Sequence, residues 1–192
     1  MASEVLYAPR AMTLLDLETD FALLSATRTH HGDQDNGIVA CAEALAAARA
    51  GNYGVGAVLV DPNRKIVAQG RNAVFYPYFR SDFHAEMVAM NAFEERHPDV
   101  ANMRGYTLIS SLEPCPMCMT RLLIAGVQTV KFLAYDELAG MVNQKHLLPV
   151  AWKRLWERQD YVPADVSPSL QRFALDVFSL NLEACRQKLW SR

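Results

Sequence analysis

The chain has 192 residues, of which 51% are apolar, and its 19 Lys and Arg against 21 Asp and Glu give a net charge of −2. This length and apolar content predict a single folded domain and exclude a largely disordered chain. Sequence-neutral binding to a phosphate backbone usually needs a basic surface. The charge balance therefore disfavours a large nucleic-acid partner, although a local basic patch stays possible.

The start of the chain and the cysteines favour a cytoplasmic protein. Residues 1–9 lack the basic start and apolar run of a signal peptide, and no run of 18 apolar residues predicts a membrane span. Of the four cysteines, Cys41 and Cys185 fall in helical apolar patterns. Disulfide-rich secreted domains have many cysteines at spacings that suit disulfide pairing, and this chain lacks that pattern, so we expect a reducing compartment.

The first 36 residues predict an acidic N-terminal extension with a short helix over 14–25 and a polar loop over 29–36. From residue 37 onward, apolar runs and turn residues predict elements in the order α-β-β-α-β-α-β. Their approximate ranges are 37–51, 54–60, 65–70, 83–96, 106–110, 116–125 and 128–134. Strands joined through helices predict parallel pairing with helices on the sheet faces.

The last part of the chain predicts a C-terminal helical segment packed on the core. A short helix is expected over 152–158, a linker over 162–168, and a helix start at Ser167-Pro168. Apolar residues then recur at helical spacing up to Trp190. The predicted organisation is an extension, a core and this segment, over 1–36, 37–136 and 137–192.

Two short motifs carry the chemistry of the sequence, His84-Ala85-Glu86 and Pro114-Cys115-Pro116-Met117-Cys118. Each motif opens a predicted helix, whose first turn has free N–H groups and the positive end of the helix dipole. Thiolates placed there are easier to keep ionised, as metal ligation requires. Cys115 and Cys118 are three positions apart, so one helical turn can point both sulfurs the same way.

These residue types favour a catalytic zinc site. His84, Cys115 and Cys118 would supply three ligands and leave the fourth position of a tetrahedral ion open for water. Glu86 is spaced to face the metal without ligating it, which suits proton transfer from that water to a substrate. A Cys-x-x-Cys pair alone also fits a redox pair or half of a structural zinc site. Neither alternative explains the His84-Ala85-Glu86 motif.

The two motifs resemble those of the zinc-dependent cytidine deaminase superfamily, whose signature is this H-x-E and P-C-x-x-C pattern. The strand at 56–61 is similar to the first strand of that family, and Gly70-Arg71-Asn72 to the segment with a substrate-binding asparagine. The run from Leu112 to Cys118 is nearest the branch with guanine deaminases and tRNA adenosine deaminases. The resemblance covers about residues 37–136.

This resemblance implies an α/β protein, with a three-layer α/β/α cytidine-deaminase-like fold and a five-stranded mixed sheet. It implies a hydrolase with one Zn²⁺ per chain, in which zinc-bound water attacks the amino-bearing carbon of a nucleobase-like ring and ammonia leaves. His84, Cys115 and Cys118 would be the zinc ligands, and Glu86 the catalytic acid and base. Members with this ligand set are commonly homodimers.

Three further residues are implied as substrate contacts: the side chain of Asn72, the backbone N–H of Ala85 and the backbone carbonyl of Glu113. Asparagine also favours turns, so a structural role for Asn72 stays open. The aromatic residues of the following loop could stack on a base or lie at an interface or in the core; they are Phe75, Tyr76, Tyr78 and Phe79. The C-terminal segment is expected to pack on the core, with closure over the site as the alternative.

The expected substrate is a small nucleobase, nucleoside or related heterocycle, with guanine-type purines favoured by the run from Glu113 to Cys118. A tRNA adenosine deaminase and a cytosine-type deaminase are alternatives, although a tRNA enzyme would need a basic groove. A toxin or editing domain acting on single-stranded nucleic acid is disfavoured by the near-neutral charge. A non-catalytic deaminase-like partner subunit is the alternative of another class, and the presence of Glu86 argues against it.

Overall fold

A computed structural model describes residues 12–192 of the chain, so the prediction for residues 1–9 lies outside the described residues. Its α-helices are α1 (Leu14–Ala26), α2 (Gln34–Arg49), α3 (Ala85–Arg96), α4 (Pro116–Ala125), α5 (Val150–Trp156), α6 (Pro168–Leu180) and α7 (Leu182–Trp190). Its strands are β1 (Gly56–Val60), β2 (Ile66–Arg71), β3 (Thr107–Leu112), β4 (Thr129–Ala134) and β5 (Asp160–Pro163), and a 3-10 helix covers Val142–Leu147. Between residues 12 and 192, none of the helices has the length and hydropathy that crossing a membrane requires.

The five strands form one mixed sheet in the order β2-β1-β3-β4-β5. Strand β1 pairs antiparallel with β2 and with β3, whereas β3 with β4 and β4 with β5 are parallel pairs. The prediction of an α/β protein with a five-stranded mixed sheet is confirmed.

Helices cover both faces of the sheet because neighbouring strand residues point to opposite sides. Ile109 packs in a core with residues of α1, α2 and α6, whereas the preceding Leu108 packs in a second core with residues of α3 and α4. Both side chains are almost completely buried. The result is the three-layer α/β/α arrangement that the sequence predicted.

The structure departs from the predicted elements mainly in the last third of the chain. Val162 and Pro163 belong to β5, so the predicted linker over 162–168 is wrong at its start. In this short edge strand only Tyr161 is buried, which leaves no alternating pattern to read. The helical spacing after Leu170 is divided between α6 and α7, which meet at Asn181.

Candidate active site

One edge of the sheet gathers residues that are far apart in the sequence. The parallel strands β3 and β4 end at this edge, and β1, which is antiparallel to β3, begins there. Strand β2 runs opposite to β1 and ends there too. Asn72, Glu113 and Asp136 follow β2, β3 and β4 closely, so topology alone brings them together.

The two predicted metal-binding motifs begin helices at this same edge. His84 is the N-cap of α3 and Cys115 the N-cap of α4, and both have extended backbone angles before their helices start. Pro116 fits the first helical position because its missing N–H has no partner to lose there. Cys118 lies in the first turn of α4. The predicted helix starts beneath both motifs are therefore confirmed.

The side chains of His84, Cys115 and Cys118 converge as metal ligands would. Each offers one ligand atom, and these three atoms all lie within 4.8 Å of one another. The Nδ1 atom of His84 is 3.6 Å from Sγ of Cys115. Zinc bond lengths place neighbouring N and S ligands of a tetrahedral ion about 3.5 Å apart. The donor set and its spacing therefore fit a zinc ion.

Glu86 lies beside this cluster in the first turn of α3. The thiol of Cys118 donates a hydrogen bond to Oε2 of Glu86 over 3.3 Å, and Glu86 is only 4% exposed. Burial, and then the negative charge of Cys115, raise the pKa of Glu86 to about 7. A carboxyl group with such a pKa can hold or release a proton near neutral pH.

The side chains of His84, Cys115 and Cys118, the candidate metal ligands, influence one another strongly. A hydrogen bond from Cys118 holds the pKa of the Cys115 thiol down, to about 4, and the same hydrogen bond raises the pKa of Cys118, with burial adding to the rise. Burial acts to lower the pKa of His84, but the hydrogen bond and charge of Cys115 outweigh it. The cluster thus supplies a ready thiolate, and a bound dication would displace its remaining protons.

The cluster opens into a cavity of about 300 Å³, within the size range of small-molecule sites. Its wall has three parts: the motif residues, the sheet edge, and the C-terminal helices. The motif residues and sheet-edge residues are His84, Glu86, Cys115, Val55, Asn72, Leu112, Glu113, Asp136 and Ala139, with Tyr53 before β1. The C-terminal helices contribute Phe178, Leu182, Arg186, Leu189 and Trp190.

The predicted substrate contacts differ in how they meet this cavity. Asn72 lines it, is 3% exposed, and has its Oδ1 fixed by the N–H of Val74 at 3.2 Å. Glu113 also lines it, but its carboxylate accepts the backbone N–H groups of Asp136 and Val142 and so fixes the loop after β4. Ala85 follows His84 directly, and its side chain is buried in the core. The contacts of these three residues with substrate stay predictions.

The loop aromatics support the C-terminal helix instead of lining the cavity wall just described. The Nζ atom of Lys188 is 4.7 Å from the ring centroid of Tyr76, and the guanidinium of Arg192 lies 3.5 Å over Phe79. Phe75 packs against Tyr53 and Phe79. Of the alternatives for these residues, the structure favours internal packing.

Sequence reasoning missed the cavity residues of α7, together with Tyr53 and Asp136. Leu182, Arg186, Leu189 and Trp190 recur at positions i, i+4, i+7 and i+8, which is the spacing of one helix face. The sequence shows this spacing, but the spacing alone does not predict which surface of the protein the helix face packs against. The sequence analysis gave closure of the C-terminal segment over the site as an alternative to simple packing on the core. In the structure, residues of α6 and α7 do line the cavity.

The fold and this site define a family. Residues 31–134 match the cytidine and deoxycytidylate deaminase zinc-binding region. The chain belongs to this zinc-binding deaminase family. The predictions of the family and of a zinc cofactor are confirmed.

Among individual proteins, the chain is 37% identical to a tRNA-specific adenosine deaminase of Bacillus subtilis over 100 residues, which are 51% of this chain and 59% of the relative. It is also 37% identical to a tRNA(Ile)-lysidine synthase of Deinococcus deserti over 112 residues, 54% of this chain and 20% of that protein. The chain therefore spans less than two thirds of these curated relatives. Their names describe those proteins and leave the substrate of this one open.

Solved structures agree on the fold. A guanine deaminase from Nitrosomonas europaea superposes with a TM-score of 0.59 at 18% identity, covering 83% of this chain and 92% of that one. A structure from work on tRNA:A34 deaminases gives a TM-score of 0.57 at 21% identity, covering 68% of this chain and 97% of that one. Both likenesses confirm a deaminase-like fold.

Replacing Gly70 with Ala should disturb the metal cluster from outside it. A Cβ at this position of β2 would clash with the backbone carbonyl of Ala85 and the backbone nitrogen of Ala89. Because α3 must then move away from the sheet, we expect a loss of about 1–3 kcal/mol in the free energy of unfolding. Denaturant unfolding and zinc analysis measure both effects, and zinc content should fall as His84 shifts.

The control for this variant is Gly32→Ala, where the nearest atom to an added Cβ is the Asp165 carboxylate at 3.4 Å. This variant should keep its stability and zinc content near the parent values. Equal behaviour of the two variants would contradict a tight contact between β2 and α3.

Proposed function

We propose that this chain is a zinc-dependent hydrolytic deaminase of a small nucleobase, nucleoside or related aminated heterocycle. The observation that carries the proposal is the convergence of His84, Cys115 and Cys118 with the buried carboxyl of Glu86 at one cavity. Guanine-type purines are the first choice of ring, because the run from Glu113 to Cys118 resembles that branch of the family.

In this mechanism His84, Cys115 and Cys118 would hold Zn²⁺, and the ion would supply Lewis-acid activation of the attacking water. Glu86 takes a proton from the attacking water and delivers it to a ring nitrogen. Glu86 then takes the second proton, from the hydroxyl group now bonded to the ring carbon, and delivers it to the amino group. The C–N bond breaks, the carbonyl forms, and the amine leaves as ammonia. Burial raises the pKa of the Glu86 carboxyl above its ordinary value, which makes it a better base for the first transfer.

The ring would be oriented by Asn72, the N–H of Ala85 and the carbonyl of Glu113. Asn72 supports this role through its position, since it is buried in the cavity wall and its amide oxygen is already held by Val74. Because the side-chain amide is already held in place, little conformational entropy is lost when it binds a ring. Its Nδ2 group is the donor that we assign to the substrate.

A small substrate is favoured over RNA by the C-terminal helices. Phe178 of α6 and Leu182 and Leu189 of α7 line the same cavity as Glu86, so a polynucleotide would have to displace them to reach the site. The net charge of −2 also offers little attraction for a phosphate backbone. A tRNA adenosine deaminase is the second candidate, because the tRNA-specific adenosine deaminases of Bacillus subtilis and Haemophilus influenzae are 37% and 33% identical over their matched regions.

An ammonia-release screen tests the proposal. The zinc-loaded protein is offered guanine, cytosine, adenosine, cytidine, their nucleotides, related aminated heterocycles and a tRNA transcript. We expect release from one class of small ring and none from tRNA. Release from tRNA alone would favour the second candidate, and no release from any compound would favour a non-catalytic partner subunit.

Three finer expectations belong to this proposal. We propose a homodimer, which light scattering of the purified protein tests, and a cytoplasmic location, which cell fractionation tests. We also keep the division into an extension, a core and a C-terminal segment over 1–36, 37–136 and 137–192. Since β5 lies in the last of these and pairs with β4, we expect the core without residues 137–192 to unfold at lower denaturant concentration.

A further inference from the structure

Helix α7 presents one face to the active-site cavity. Leu182, Arg186, Leu189 and Trp190 all line it and are spaced as one side of a helix. Three of these side chains are apolar or aromatic, and the guanidinium of Arg186 is the one cation that α7 contributes to the cavity wall.

The orientation of this face is fixed by contacts on other sides of the helix. The Nδ2 atom of Asn181 donates to the backbone carbonyls of Ala48 and Asn52 at 2.7 and 2.9 Å. Cys185 is completely buried, and Lys188 and Arg192 lie over aromatic rings of the loop after β2. These contacts hold α7 in place and so position Arg186 at the cavity.

Burial distinguishes a floor and an entrance in this cavity. Asn72, Glu86 and Glu113 are 3–4% exposed, whereas Leu189 and Trp190 are 47% and 73% exposed. Arg186 is half-buried and lies on the helix with the exposed pair. A ring whose amino group reaches Glu86 would thus bring its opposite side toward Arg186.

Arg186 has no ion-pair partner among the described residues, although Glu86, Glu113 and Asp136 line the same cavity. Among residues 12–192, no carboxylate forms an ion pair with it and no side chain accepts its hydrogen bonds. Burial raises the pKa of Tyr53 in the cavity wall, and the positive charge of Arg186 acts in the opposite direction, lowering that pKa by a smaller amount. A half-buried guanidinium gains most from an anion that can accept two parallel N–H bonds.

We propose that Arg186 binds an anionic substituent, a phosphate or a carboxylate, on the side of the substrate away from the reacting amino group. This inference rests on the proposed function and narrows it. The preferred substrate becomes a nucleoside phosphate or an acidic heterocycle, with guanosine monophosphate ahead of guanine within the purine class. Arg186 acts in substrate selection and has no part in the proton transfer assigned to Glu86.

The test measures binding without turnover. Calorimetry compares zinc-loaded Glu86→Gln with zinc-loaded Glu86→Gln/Arg186→Gln, using two matched ligand pairs: guanosine with guanosine monophosphate, and cytidine with cytidine monophosphate. For one of these pairs, loss of Arg186 should weaken binding of the monophosphate about 10- to 100-fold and change nucleoside binding less than threefold. A carboxylated pyrimidine and inorganic phosphate, used as further probes, separate the two sources of negative charge.

Two more variants sharpen the comparison. Arg186→Lys, in the same Glu86→Gln background, should recover part of the affinity because it keeps the charge and loses the paired geometry. Arg96→Gln makes the same charge change at the exposed end of α3, which one helix length separates from His84. This control should bind both members of a pair as the Glu86→Gln parent does.

Three outcomes would overturn the inference: equal weakening for nucleoside and monophosphate, no weakening, or no binding of any anionic probe. These outcomes are independent of ammonia release, which tests the proposed function in wild-type protein. Selective loss of monophosphate binding in a protein that releases no ammonia would contradict the proposed reaction and support the anion site.

Discussion

Glu86→Gln should abolish most ammonia release while leaving the zinc content and the fold intact. The amide keeps the size of the side chain in a position that is only 4% exposed, so no cavity forms. The amide cannot take up and release a proton, whereas the carboxyl of Glu86 can. Loss of general acid and base catalysis typically costs about 10²–10⁴ in rate. We expect kcat to fall within or beyond that range.

The measurement needs a control and two readouts. Zinc per chain and thermal unfolding establish that the variant is intact, and ammonia release with the best substrate of the screen gives kcat. Glu137→Gln is the matched control, since it removes an exposed carboxylate in the loop after β4 that does not line the cavity with Glu86. Ammonia release near the wild-type rate by Glu86→Gln would remove Glu86 from the mechanism.

The metal cluster was predictable from the sequence because its determinants are local. Cys115 and Cys118 share one helical turn, and the residues around His84 carry their own helix start. The residue types predicted that the two motifs share one metal, and the resemblance to a family supported this, but no local rule places α3 beside α4. The structure supplies the physical reason: β2, β1 and β3 are adjacent, so the helices that follow β2 and β3 begin at one edge.

The rest of the cavity could not be predicted because it depends on contacts between distant segments. Arg186 reaches the site through the bonds of Asn181 to the carbonyls of Ala48 and Asn52, a pairing across more than 120 residues. Its helical spacing indicated an amphipathic face and nothing about the surface that the face would meet. The aromatic residues after β2 could not be assigned from the sequence either. Tyr76 and Phe79 contact Lys188 and Arg192 at the C-terminal end of the chain and do not form the cavity wall.

The last prediction concerns the zinc ligands themselves. His84→Ala and Cys115→Ala should each lower zinc content well below one per chain. Each change removes one of the three proposed ligands among residues 12–192, and Cys115 is the thiol whose pKa of about 4 keeps it ionised. We expect affinity to fall by more than the roughly 10- to 100-fold that losing a residue behind a ligand costs. Metal analysis after dialysis against a weak chelator measures the loss.

Cys41→Ala is the matched control, because it also removes one cysteine thiol, here a completely buried one. Burial in α2 raises the pKa of Cys41 strongly, so this sulfur stays protonated and offers no thiolate to a metal. Full zinc content in Cys115→Ala would mean that another donor replaces the sulfur, and the Glu86 carboxylate, 3.3 Å from Sγ of Cys118, is a candidate. The double variant Cys115→Ala/Glu86→Gln would then lose the metal. In that case Glu86 is close enough to ligate zinc when Cys115 is absent.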